Sequence, residues 1–186
     1  MNVILLGAPG AGKGTQGIRL SERLNIPKVA TGDLLRAAVR DKTSLGTQAS
    51  TYMDAGLLVP DEIILGLIRE VLESPAAATG LIMDGFPRTV AQAEAVDRLL
   101  QERGTGVDHV LTFEVPEQQL VERLLGRATT EKRSDDTHEA IKQRLAVYRE
   151  QTAPLLAFYG QRGLLREIDG VGDIEAIANR VMAAIA

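Results

Sequence analysis

The sequence predicts an α/β fold, a five-stranded parallel sheet flanked by helices, and two observations lead there. Short apolar runs alternate along the chain with longer amphipathic stretches, the pattern of a parallel sheet covered by helices on both faces. The length of 186 residues, with 45% hydrophobic and 25% charged residues, suits one soluble globular unit with room for small inserted lobes.

The strands are expected at Val3 to Leu6, Lys28 to Ala30, Leu81 to Met83, Val110 to Val115 and Leu164 to Ile168. Between them apolar residues recur at helical spacing, as in Ile64, Leu67, Ile68, Val71 and Leu72, or in Ile141, Leu145 and Tyr148, and these faces are expected in the core. Pro154 has no N–H to donate and should kink or end the long helix that starts near Asp136. The Ala-rich stretch Pro75 to Thr79 reads as a loop. Two segments interrupt the alternation: Thr31 to Val59, helical without a strand of its own, and the polar patch Ala128 to Asp136. Both look inserted. They divide the single unit into a core of residues 1–29, 60–127 and 137–186, a lobe of 30–59 and a short segment of 128–136.

Composition excludes several classes. The absence of cysteine removes disulfides, thiolate nucleophiles and cysteine-ligated zinc, and points to the cytoplasm. The N-terminus lacks the basic and apolar regions of a secretory signal. No run reaches the roughly 18 apolar residues of a membrane span, so a soluble intracellular protein without a membrane partner is expected. A net charge of −4 offers no global field to nucleic acid, and 3% aromatic residues leave few stacking platforms. Any polyanion must be held by a local cluster.

Straight after the first strand comes Gly7-Ala8-Pro9-Gly10-Ala11-Gly12-Lys13-Gly14-Thr15, which fits G-x-x-x-x-G-K and opens an amphipathic helix. Glycines let the backbone turn its N–H groups inward, and the helix N-terminus adds partial positive charge. Lys13 can reach the outer phosphates of a bound polyphosphate. The usual motif has Ser or Thr directly after the lysine for magnesium, whereas Gly14 precedes Thr15 here, so a direct bond from Thr15 to the metal does not follow.

A phosphate loop does not separate a switch from a kinase; a second anion site does. Asp84-Gly85-Phe86-Pro87-Arg88 follows the run Leu81-Ile82-Met83, which places Asp84 at the C-terminal end of a buried strand, where open α/β sheets bind ligands. An acid there can hold magnesium, and Arg88 offers a forked guanidinium to a phosphate. Gln92 lies four residues on from Arg88, at the spacing of one helix face, so a single monophosphate could touch both. Arg123 and Arg127 are also four apart, a repulsive pair unless an anion lies between them.

The Gly-Lys-Gly-Thr form, with Gly-Ala-Pro-Gly before it, resembles the adenylate kinase family, and the likeness extends over nearly the whole chain, to Ile168-Asp169-Gly170-Val171-Gly172. Thr31-Gly32-Asp33-Leu34-Leu35-Arg36 and Gly56-Leu57-Leu58-Val59-Pro60-Asp61 resemble its monophosphate-binding lobe. The resemblance implies a P-loop NTPase fold and reversible phosphoryl transfer from ATP to AMP, giving ADP. It places Gly10, Ala11, Gly12, Lys13, Gly14, Thr15 and Arg127 on ATP, with the donor adenine near the backbone of Gly172. It sets Thr31 and the Leu57, Leu58 and Val59 backbone against the AMP adenine, Arg36 and Arg88 on the AMP phosphate, Gly85, Phe86 and Pro87 beside them, and Gln92 as the reader of the base. It assigns Asp84 to magnesium through water, and Arg123, Arg127, Arg133 and Arg144 to the transferring phosphates, the last two closing over both nucleotides. Only Ala128 to Lys132 separate Arg127 from Arg133, so the lid is of the short, zinc-free form. A monomer is implied likewise.

The acceptor phosphate has a second pKa of about 6, so it is largely deprotonated near neutral pH and no general base is needed. His109 then reads as a strand-start residue and His138 as a solvated helix residue. Two alternatives stand beside AMP phosphorylation. A UMP/CMP-type kinase would share the fold and the arginines; the hydroxyl of Thr31 and the amide of Gln92 suit the adenine edge. A non-transferring nucleotide switch would need one nucleotide site, and the chain has no Asn-Lys-x-Asp guanine-reading motif.

Overall fold

The computed structural model describes residues 1–128 and 137–186, together with the backbone of 129–131. Five strands form one all-parallel sheet: β1 (Asn2–Gly7), β2 (Lys28–Ala30), β3 (Leu81–Asp84), β4 (His109–Glu114) and β5 (Leu165–Asp169). Their spatial order is β2-β3-β1-β4-β5. The chain runs from β1 out to β2 and β3 on one side and to β4 and β5 on the other, so β1 is the switch point where such sheets open a crevice at their C-terminal edge. The register sets Leu5 of β1 beside Asp84 of β3, and Gly7 beside Phe113 of β4. All five strands lie where the apolar runs placed them, to within a residue at each end.

Side chains of β1 and β3 alternate between two apolar layers, which explains why these strands read as unbroken apolar runs. Ile4, Leu6, Leu81 and Met83 face one layer with α4 (Asp61–Glu73) and α5 (Val90–Gln101), through Ile64, Ile68, Val96 and Leu100. Val3, Leu5 and Ile82 face the other with α1 (Lys13–Leu24), α6 (Glu117–Glu131) and α9 (Ile174–Ala184), through Leu20, Leu124, Ile177 and Val181. Leu124 is fully buried, and truncating such a residue to alanine costs about 2 to 5 kcal/mol. The segment after β2 forms α2 (Thr31–Arg40) and α3 (Ser44–Asp54) with no strand, as its pattern predicts.

Pro154 does not stop the helical run; it opens a new helix after a π turn. After α7 (His138–Val147) a π turn spans Tyr148–Thr152, and α8 (Pro154–Gly160) begins at the proline itself. The Ala153 N–H reaches back to the Tyr148 carbonyl at 2.8 Å, and the proline takes the first position of a new helix, where a missing N–H is tolerated. The two halves then serve different layers: Ile141 and Leu145 pack with the α1 side, Leu155 and Tyr159 with the α4 side. Pro75–Thr79 forms a 3-10 turn rather than an open loop. His109 opens β4 and His138 opens α7 on the surface.

Candidate active site

A cleft of about 680 Å³ opens at the C-terminal edge of the sheet. Lys13, Lys28, Arg36, Arg88, Arg123, Arg127 and Arg144 line it against two acids, Asp33 and Asp84. A protein of net charge −4 thus concentrates positive potential in one crevice.

The turn from β1 into α1 builds one wall. Gly10 has φ +84, and a Cβ there would lie 2.8 Å from the Leu120 carbonyl oxygen and 3.0 Å from Leu124 Cγ. Only glycine lets this loop turn and still pack against α6. The Lys13 ammonium donates to the Gly7 carbonyl at 2.7 Å and to the Ala8 carbonyl at 2.9 Å, which pins it across the loop. Its withdrawal from water lowers its pKa from 10.5 to about 8; Asp84 opposes the shift, while the guanidiniums of Arg88, Arg144 and Arg127 add to it. With seven cations against two acids, the cleft suits an anionic ligand. Ala11, Gly12, Gly14, Thr15 and Gly172 all line the same cleft.

Asp84 ends β3 at the floor of the cleft. Its Oδ2 lies 3.1 Å from the ammonium of Lys28, and each side chain is only 12% exposed. Lys28 reaches it from β2 by passing beneath α1, where Gly17 makes room: a Cβ at Gly17 would lie 2.8 Å from Lys28 Cε. A Cβ at Gly14 would stand 3.6 Å from Asp84 Oδ2, so the missing side chain after Lys13 leaves space beside the carboxylate. Among the described residues no group of three His, Cys, Asp or Glu side chains could hold an ion by itself. One shielded carboxylate with open space next to a phosphate loop fits magnesium, which keeps most of its waters and shares phosphate oxygens.

A smaller cavity of about 60 Å³ lies toward α2 and α3, lined by Thr31, Leu57, Leu58, Val59, Phe86 and Gln92 among others. Gly85, at φ +78, brings its neighbours close: a Cβ there would meet an Arg88 guanidinium nitrogen at 3.2 Å and Thr31 Oγ1 at 3.3 Å. The Gly85 carbonyl accepts from the Thr31 hydroxyl at 3.0 Å and from Arg88 Nε at 2.7 Å. Thr31 and Gln92 are both 2% exposed. The Gln92 side chain accepts from the Arg88 backbone N–H at 2.7 Å and donates to Asp61 at 2.6 Å. Arg88 precedes α5, whose N-cap is Thr89, so the two residues do not share a helix face as their spacing suggested; they meet across the helix start.

Arg36, Arg88 and Arg144 line both cavities. Arg36 pairs with Asp33 one turn earlier on α2. Arg123 donates to the Gly170 carbonyl at 3.1 Å, and Arg127 joins it on the wall of the larger cleft. Pro87 lines the larger cleft rather than the smaller cavity. Arg133 lies outside the described residues. Sequence reasoning missed Lys28 and Asp61. From the sequence, Lys28 marks only the first residue of a strand, and Asp61 only the end of a lobe motif. The signal available was positional, since a lysine at a strand start beside an aspartate-ended strand can reach that aspartate.

A family model described as adenylate kinase matches residues 5–164. The chain is 51% identical over 185 residues to an adenylate kinase of Stenotrophomonas maltophilia strain K279a, covering 100% of this chain and 99% of that protein. It is 51% identical over 185 residues to an adenylate kinase of Thermobifida fusca, with 100% and 98% coverage, and 50% identical over 183 residues to one of Leptospira biflexa, with 98% of each covered. Alignment to an adenylate kinase of Citrifermentans bemidjiense, 43% identical, runs over 212 positions, so that protein carries insertions relative to this chain of 186 residues.

Proposed function

The chain belongs to the adenylate kinase family, and we propose that its two adjoining cavities divide that family's substrates, ATP against the Gly-rich loop and AMP beside Gln92. The reaction is reversible phosphoryl transfer from ATP to AMP, giving two ADP. The observation that carries the division is that Arg36, Arg88 and Arg144 line both cavities. Phosphates entering from either side meet at those three guanidiniums.

On the donor side the N–H groups of Gly10 to Thr15 and the ammonium of Lys13 hold the ATP phosphates, Arg127 assists, and the backbone at Gly172 lies by the adenine. On the acceptor side Arg36, Arg88 and Arg144 hold the AMP phosphate, while Thr31, Leu57, Leu58, Val59, Gly85, Phe86 and Gln92 surround the base. Pro87 borders the junction from the donor side. Transfer of this kind needs alignment and charge stabilisation, which Lys13, Arg88, Arg123, Arg127 and Arg144 supply. No side chain need remove a proton, because the acceptor phosphate is already ionised. Asp84 would hold magnesium through water, and the ion when bound would supply positive charge to the donor phosphates.

The same reading divides the chain into a core (1–29, 60–127 and 137–186), a monophosphate lobe (30–59) and a short lid (128–136), and it gives Arg133 a place over both nucleotides. No helix among the described residues is long and apolar enough to cross a membrane. The setting that fits is a cytoplasmic monomer in adenine nucleotide homeostasis, without nucleic acid or membrane as partner. Comparing AMP, CMP, UMP and GMP as acceptors in one ATP-consumption assay tests the reading. AMP is expected to lead by at least about a hundredfold in kcat/KM, about 2.7 kcal/mol. CMP or UMP turning over as well as AMP would move the chain to the pyrimidine monophosphate kinases.

A further inference from the structure

We propose that Asp61 is a positioning residue that holds the Gln92 amide in the one orientation able to read adenine, and thereby sets the preference for AMP over six-oxo purine monophosphates. The proposal rests on Gln92 as the base contact. It adds to that reading the device that makes Gln92 selective.

An amide is ambiguous by itself, since its oxygen and nitrogen ends are alike in shape and opposite in polarity. Here its two neighbours are not ambiguous. The Arg88 backbone N–H can only donate, and it lies 2.7 Å from Gln92 Oε1. The Asp61 carboxylate, when ionised, can only accept, and its Oδ1 lies 2.6 Å from Gln92 Nε2. Turning the amide over would place donor against donor at Arg88 and acceptor against acceptor at Asp61. With Gln92 only 2% exposed, water cannot readily relieve either clash.

Each end of the amide then keeps one unused valence, an N–H on Nε2 and a lone pair on Oε1. Adenine presents the complementary pair, the N1 acceptor and the exocyclic amino donor. A six-oxo purine presents an N1–H donor and an O6 acceptor, the reverse polarity. Thr31 is committed in the same sense: its hydroxyl proton is spent on the Gly85 carbonyl at 3.0 Å, which leaves it lone pairs to offer an amino group in the cavity it shares with Gln92. Asp61 opens α4 and Gln92 lies on α5, 31 positions later, so this polarity depends on how the two helices pack.

IMP is the discriminating probe, because it differs from AMP only at N1 and C6 and lacks the bulk of the guanine amino group. The AMP to IMP ratio of kcat/KM is compared in the native enzyme, Asp61→Ala, Asp61→Asn and Gln92→Leu. Asp61→Ala should lower the ratio by about tenfold or more, chiefly through a raised KM for AMP. Asp61→Asn should keep it within about threefold of native, since the asparagine oxygen still accepts from Nε2.

If Gln92→Leu collapses the ratio while Asp61→Ala leaves it native, the role of Asp61 is overturned and Gln92 stands as the reader. If Gln92→Leu leaves the ratio native, the reading of Gln92 fails and the proposal with it. Equal collapse in Asp61→Ala and Asp61→Asn would overturn it too, by showing that the charge at the start of α4 matters rather than the acceptor. Asp61 is exposed and Glu62 remains in the first turn, so the variants should fold. The side-chain amide resonances of Gln92 give a readout independent of turnover, expected to shift in Asp61→Ala and to stay near native in Asp61→Asn; an unshifted pair in Asp61→Ala counts against the proposal.

Discussion

The Gly-rich loop and the pocket around Gln92 border one cleft, yet the first is built from backbone and the second from side chains that hold other side chains. In the loop the groups proposed to meet phosphate are backbone N–H donors of consecutive residues, and the sequence requirement is for what is missing, a Cβ at Gly10. In the pocket the two buried polar side chains each have a partner distant in sequence: Thr31 at Gly85, Gln92 at Asp61. A backbone site recognises any polyphosphate. On the proposed reading, a side-chain site selects one edge of one base, because its polarity is fixed twice over.

The sharpest way to break this contrast is at the junction, where side chains must do what the loop does with backbone. Arg88→Ala removes a guanidinium that lines both cavities and donates to the Gly85 carbonyl at 2.7 Å. Turnover with AMP is expected to fall at least tenfold, about 1.4 kcal/mol or more in transition-state stabilisation, with the loss in kcat rather than in KM for ATP. Unchanged kcat would mean that the loop and Lys13 suffice, and Arg88 would leave the catalytic set.

That contrast also explains what was legible from sequence alone. The loop announces itself because its residues are contiguous, and β1 and β3 because burial on both faces leaves continuous apolar runs. The pocket was legible only through family resemblance. Nothing local to Gln92 says that it is buried against Asp61, and its spacing from Arg88 suggested a shared helix face although α5 begins at Val90. Lys28 escaped for a similar reason: its role depends on β2 lying beside β3 and on a glycine in α1, a three-way arrangement with no sequence spacing of its own. The restart of helix at Pro154 follows a π turn, with the halves before and after it in different layers, which periodicity does not encode.

A second, smaller effect asks whether the donor side is purely backbone. Lys28→Met keeps the aliphatic stem beside Gly17 and removes the charge 3.1 Å from Asp84. Leaving a carboxylate that is 12% exposed without its partner should cost about 2 kcal/mol, less than the 3 to 5 kcal/mol of a fully enclosed pair. In a chain of 186 residues that is a drop of roughly 5 °C in Tm. A variant as stable as the parent would show Asp84 to be held by its strand alone.

The smallest effect reads the electrostatics of the loop directly. Lys13 has a pKa of about 8 in the empty cleft, and bound phosphates should raise it, because they supply the counter-charge that Arg88, Arg144 and Arg127 cannot. The folded value lies below the unfolded 10.5, so the unfolded chain binds more protons between about 8 and 10.5. The cost of the charged lysine is therefore fully present below pH 8, and stability contributed by this group rises across that window. For binding the sign is opposite, since ATP prefers the protonated lysine: its affinity should hold steady below pH 8 and weaken above it. Calorimetry at pH 8.5 in two buffers of different ionisation enthalpy should detect uptake of more than about half a proton per ATP, falling toward zero at pH 7 for this group. No uptake at pH 8.5 would mean that Lys13 is already fully charged in the empty loop, held there by the Gly7 and Ala8 carbonyls and Asp84 against its crowded neighbours.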